Sequence, residues 1–126
     1  MASWVSDGYI GDLFRTMGKH VPSPAGLKPP FRWGTEEGLG ELLGEGIGSL
    51  QTRRRSFVWR FQSARHHVEF MRSYYGPLHK AFETLDEEAQ KALEGDLISL
   101  VEHYNRSDDG TAVWPADYLE VVATRR

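Results

Sequence analysis

Hydrophobic residues recur along the chain with two different periods, and the switches between them outline the expected elements. Tyr9, Ile10, Leu13, Phe14 and Met17 recur at helical spacing, which predicts a first helix capped by Ser6 and stopped at Gly18. Thr35 is placed to cap a second, short helix carrying Leu39, Leu42 and Leu43. Gly38 and Gly40 inside it each cost about 1 kcal/mol relative to alanine, so that helix needs tertiary support. Phe57, Trp59 and Phe61 then alternate with Val58 and Arg60. This period of two predicts a strand from about Ser49 to Phe61, entered through Gly44, Gly46 and Gly48.

Ser63 opens a long helix with Val68, Met71, Tyr75, Leu78 and Phe82 on one stripe. Pro77 within that stripe predicts a kink near Ser73 to Tyr74 that re-aims Tyr74 and Tyr75. Asp86 caps the last helix, whose apolar face is Leu93, Leu97, Leu100, Val101 and Tyr104; Glu87 and Glu88 suit its positive N-terminus. Asp108-Asp109-Gly110 is a turn signal, and Val113 to Thr124 is rich in strand-forming residues. Pro115 cannot donate to a sheet ladder and is expected at an edge or bulge. Four of the six prolines, Pro22, Pro24, Pro29 and Pro30, fall within residues 19–32, a proline-rich loop without regular structure. The expected class is α+β, about four helices with an antiparallel β-hairpin, in one domain over residues 1–126.

Composition narrows the function classes. A formal charge of −3 gives no general pull toward nucleic acid or an anionic membrane. The chain has no cysteine, which excludes disulfides and thiolate metal sites. No signal-peptide pattern opens it and no apolar run approaches the ~20 residues that span a bilayer. The cytoplasm is the expected compartment, with neither nucleic acid nor membrane as a partner.

Three segments, Trp33-Gly34-Thr35-Glu36, Tyr74-Tyr75-Gly76-Pro77 and Tyr118-Leu119-Glu120-Val121-Val122-Ala123, resemble in order and spacing the C-terminal half of bacterial class I S-adenosylmethionine-dependent methyltransferases. The opening Ala2-Ser3-Trp4-Val5-Ser6-Asp7-Gly8-Tyr9-Ile10-Gly11 is similar to the end of that family's fifth strand and the start of the following helix. The resemblance implies that the two predicted strands form the edge hairpin of a seven-stranded sheet. It also implies that the cofactor-holding segments, a glycine-rich loop and an acidic strand end, are absent from these residues. No cofactor is then expected on this chain alone, and S-adenosylmethionine only where a complementary half is supplied.

By the same resemblance, Tyr9, Phe14, Trp33, Tyr74 and Tyr75 lie on the acceptor-substrate side, as substrate contacts and not as catalytic groups. Aromatic walls there suit an apolar body, and tyrosine hydroxyls suit a polar handle. The competing reading has these aromatics packing the core. His66, His67 and Glu69 are usable metal ligands, but adjacent helical residues point about 100° apart and do not converge. His79 and His103 lack an evident partner in the sequence. Arg53-Arg54-Arg55, with Arg60 and Arg125-Arg126, is the basic cluster; it either steers an anion or protects a strand edge by charge. No nucleophile elbow, phosphate loop or calcium loop is present.

Three functions follow as expectations. The first is a split or truncated methyltransferase region supplying the acceptor side, with a complementary cofactor-binding chain and a small-molecule acceptor as partners. The second is a noncatalytic module that forms a homodimer or docks on another protein. The third is a small-ligand binder using the aromatic surface.

Overall fold

A computed structural model describes residues 1–21 and 30–126. Strand β1 (Ala2–Trp4) leads to helix α1 (Tyr9–His20). A short 3-10 helix (Pro30–Gly34) precedes α2 (Glu36–Leu43), and a 3-10 turn (Gly44–Gly46) leads into β2 (Ile47–Phe61). Helices α3 (Ala64–Tyr74), α4 (Gly76–Thr84) and α5 (Glu87–Tyr104) follow, and β3 (Ala112–Arg125) ends the chain. The class is α+β, with five α-helices among the described residues and an antiparallel sheet whose order is β1-β3-β2. Most of the expected proline-rich loop, residues 22–29, lies outside the described residues; Lys19 and His20 belong instead to the last turn of α1.

The expected caps of three helices are in place. Thr35, Ser63 and Asp86 accept from the backbone N–H groups of Gly38 at 3.0 Å, His66 at 3.0 Å and Ala89 at 2.8 Å, satisfying donors that a helix start leaves unpaired. The first helix departs from expectation at both ends. Gly8, at φ 94°, is its N-cap, a backbone conformation that glycine adopts without steric cost. Ser6 serves instead through its carbonyl, which accepts from Arg15 at 3.0 Å. Gly18 does not stop the helix, which continues to His20 and closes with the Val21 N–H on the Met17 carbonyl at 2.8 Å.

The predicted kinked helix is two helices. Tyr75 is extended, at φ −89° and ψ 111°; its N–H closes α3 on Met71 at 2.9 Å, and its carbonyl opens α4 by accepting from His79 at 2.8 Å. Pro77 has no N–H to return to Ser73, and its ring disfavours a helical residue before it. A proline at the start of a new helix meets neither problem.

Sheet and helices enclose two cores on opposite faces. Ala112, Trp114 and Ala116 point into the larger one, with Leu13 of α1, Val68 and Met71 of α3, and Leu93 and Leu97 of α5. Leu119 and Val121 belong to the other face by the period-two rule, and they pack with Val5 and Leu39 of α2. Phe57, 50 % exposed, continues the Trp114 face beyond the helices, while Val58, 39 % exposed, lies on the opposite face beyond the reach of α2.

Pro115 sits in the central strand, opposite Val58, and not at a bulge. Odd-numbered residues of β3 turn their backbone polar groups away from β2: the Val113 carbonyl accepts from Arg106 at 2.8 Å and that of Asp117 from Val5 at 3.2 Å. Pro115 therefore presents its donorless nitrogen to the side that β1, paired only with residues 118–120, does not reach. The ladder loses nothing.

Candidate functional site

Strands β1 and β2 both run antiparallel to β3, so they share a direction; β1 ends opposite Tyr118, level with Arg55 in the middle of β2. Trp4 is the last residue of β1, and its ring lies 6.3 Å from that of Trp59, near the end of β2. Helix α1 adds Ile10 and Leu13, and the last turn of α3 adds Phe70 and Met71. Tyr74 and Tyr75 complete the wall of a cavity of about 240 Å³. Helix termination creates this site: because α3 stops at Tyr74, Tyr75 leaves the helical path with both backbone groups paired and its side chain on the cavity.

Polar contacts fix the segment joining Trp4 to α1. Arg54 donates to Asp7 at 2.8 Å and to Asp117 at 2.9 Å, tying the loop before α1 to both long strands. The hydrogen bond from Arg54 holds the Asp7 carboxyl below its usual range and raises the guanidinium in return. Asp12 accepts from Tyr104 and Arg15, which lower its pKa, while burial and that carboxylate push the Tyr104 phenol up to about 12. Gly34 contributes by its missing side chain: a Cβ there would fall on the backbone carbonyl of Trp4.

Below the cavity lies a buried polar pair. The Tyr9 hydroxyl is 2.6 Å from Nε2 of His67, and rings of Phe61, Trp114 and Trp59 stand 4.5, 4.6 and 5.5 Å from the imidazole. Burial lowers the His67 pKa to about 4, assisted by His66, and burial raises that of the Tyr9 phenol. Both groups are neutral near pH 7. Among the described residues, His67 Nδ1 and the indole N–H groups of Trp59 and Trp114 have no hydrogen-bond partner. The T-shaped packing of His67 on Trp114 gives such edges a π face in place of an acceptor.

The five residues singled out from sequence separate. Tyr74, 78 % exposed at the rim, and half-buried Tyr75 line the cavity; burial raises the Tyr75 phenol. Tyr9 lies in the core and reaches the cavity only through Trp59, 6.4 Å away. Phe14 packs edge-on against Phe31 at 5.3 Å, and Trp33, 38 % exposed, sits on the 3-10 helix; neither lines the cavity. Trp4, Trp59 and Phe70 were not singled out as site residues; the alternation with Phe57 and Phe61 marked Trp59 only as part of a strand. His67 did carry a signal: Ala64, His67, Val68 and Met71 share one helical stripe, and all four are buried.

Other clusters do not converge. His66 and His67 diverge as adjacent helical residues must, and among the described residues no group of three metal-ligating side chains forms. Arg54 is bound to Asp7 and Asp117, and Arg55 to Glu120. Arg125 stands opposite Ile47 at the far end of β2, and Arg60 opposite Val113 at the other. The cluster is thus spread along the sheet, and within it Arg54 and Arg55 are paired with carboxylates. No helix among the described residues is long and apolar enough to cross a membrane.

No protein-family model matches the chain. It is 33% identical over 128 aligned residues to the uncharacterized protein Rv1405c of Mycobacterium tuberculosis and to the uncharacterized protein Mb1440c of Mycobacterium bovis, covering 98% of this chain and 45% of each relative. The uncharacterized protein Rv1403c of Mycobacterium tuberculosis is 27% identical over 127 residues, with the same coverage. The chain spans a little under half the length of the curated relatives it matches.

Proposed function

We propose that these residues form the acceptor-substrate side of an S-adenosylmethionine-dependent methyltransferase whose cofactor half lies in further sequence or a complementary chain. The observation that carries this reading is the aromatic cavity between the end of β1, helix α1 and the junction of α3 with α4, since small-molecule sites are concave, mostly apolar and aromatic, with a few polar groups. The greater length of the matched relatives supports a functional unit larger than this chain.

The cavity does not suit the cofactor itself. S-adenosylmethionine carries an ammonium, a carboxylate and a ribose diol, whereas the described lining residues are aromatic or aliphatic and none is charged. What these residues do is hold an acceptor: ring faces fix its plane, and the Tyr75 hydroxyl, whose pKa burial raises further, orients a polar atom. Calorimetric titration with S-adenosylmethionine tests the reading. The expected result is no binding to the isolated chain and one-to-one binding to full-length Rv1405c; binding by the isolated chain, or none by the longer relative, overturns it.

A second reading, association of two copies, is favoured by one observation. Phe57, 50 % exposed, and Val122, 55 % exposed, lie on the part of the Trp114 sheet face beyond the described helices, and among the described residues β2 is paired on one side only. Light scattering over a concentration series distinguishes the two; a monomer at every concentration rejects self-association.

A further inference from the structure

We propose that the cavity at the end of β1 takes an uncharged, planar, hydroxylated aromatic molecule of one or two fused rings. The inference deepens the acceptor reading, on which it rests for the ligand's role as substrate but not for its binding. Three observations carry it.

The first is the wall. Trp4, Trp59, Phe70, Tyr74 and Tyr75 supply five aromatic rings to one cavity, and aromatic pairs gain from offset or edge-to-face contact beyond the area they bury. Trp4 and Trp59 are tilted by only 31°, so a flat guest can lie along both, while a puckered ring meets fewer faces. The second is charge. Among the described residues none lining the cavity is ionised, and a carboxylate or ammonium brought there would lose water without gaining a counter-ion. The third is size and polarity. A volume of about 240 Å³ lies below the ~300 Å³ at which drug-sized pockets begin, and the hydroxyls of Tyr74 and Tyr75 give a small ring a polar partner without a charge.

The test titrates 2-naphthol, 2-naphthoate and the saturated decahydro-2-naphthol into the full chain without S-adenosylmethionine, followed by NMR of the four tryptophan indole N–H signals. Saturable shifts at Trp4 and Trp59 with 2-naphthol are expected, with Trp33 unmoved and both other compounds at least about tenfold weaker. Tyr75→Phe, which keeps the ring, should weaken 2-naphthol by about three- to tenfold, the net worth of one hydrogen bond, and leave naphthalene unchanged. Equal or tighter binding of 2-naphthoate or the saturated alcohol overturns the proposal. So do the absence of saturable binding, shifts confined to Trp33, and an unchanged 2-naphthol affinity in Tyr75→Phe. Methyl transfer plays no part in these readouts, so failure here leaves the cofactor titration to be judged separately.

Discussion

The Tyr9 hydroxyl meets His67 Nε2 at 2.6 Å within a shell of aromatic rings, where neither side chain is more than 2 % exposed. The pair joins α1 to α3 across 58 positions of sequence and forms the base on which Trp59 packs under the cavity. Both partners depend on it, because a buried polar atom without a partner keeps the full cost of leaving water.

Replacing Tyr9 with phenylalanine keeps the ring packing and strips His67 of that partner. Tyr9→Phe should lower unfolding free energy by about 1 to 3 kcal/mol, read from urea denaturation monitored by tryptophan fluorescence. A change within error would show that the hydrogen bond contributes nothing net.

His67 also gives stability a pH dependence of defined sign. Its pKa is 6.5 when unfolded and about 4 when folded, so between these values the unfolded chain binds more protons and stability rises with pH. Loss should begin as pH falls below 6.5, reach on the order of 3 kcal/mol, and level off from this group below pH 4. His67→Gln should flatten that limb of the urea-midpoint profile; an unaltered slope would assign the effect to other groups.

Two glycines near each other in sequence should respond in opposite directions to alanine. At Gly34 a Cβ collides with the Trp4 carbonyl, a backbone atom that cannot rotate away, so Gly34→Ala should destabilise by about 1 to 3 kcal/mol. At Gly40, exposed within α2, a Cβ meets no described atom within 4 Å, and Gly40→Ala should stabilise by about 0.5 to 1 kcal/mol. Thermal melts of the two variants check the pair, and a shared direction would contradict the close approach of Gly34 to β1.

Arg54 bonds two carboxylates but is half exposed. Surface pairs of this kind contribute little after screening and side-chain ordering. Arg54→Gln should therefore cost less than about 1 kcal/mol at low salt and less still in 1 M salt. A larger loss that survives high salt would give the Asp7 tie a structural weight its exposure does not suggest.

Much of the architecture was legible because it rests on short-range terms. Thr35, Ser63 and Asp86 cap helices through donors three residues on, a pattern set by the helix itself. Alternation around Trp59 marked β2 to within two residues of its observed start. The failures came where two local signals competed: Ser6 lost the cap to Gly8, and Pro77 divided a stripe that its apolar spacing made look continuous. Of the cavity wall, Tyr74 and Tyr75 entered through the resemblance, and Pro77 marked only the break in the helix that re-aims them. Trp4 and Trp59 were not readable, because what makes them cavity walls is each other.

Sequence by itself determined the two long strands and most of the helical segments, which side of each is apolar, and hence an α+β chain with an antiparallel sheet, but it ran α3 and α4 together and no periodicity marked β1. Side-chain period, capping and proline geometry act within one or two turns and need no knowledge of distant residues. Tertiary structure alone decided that the last strand lies between the first two, that the sheet is covered on opposite faces at its two ends, and that Arg54 and Arg55 meet carboxylates. It also decided that Trp4 and Trp59 face each other beside Tyr75 while Tyr9 turns inward to His67. Those outcomes depend on contacts between residues tens of positions apart, whose partners only chain packing selects.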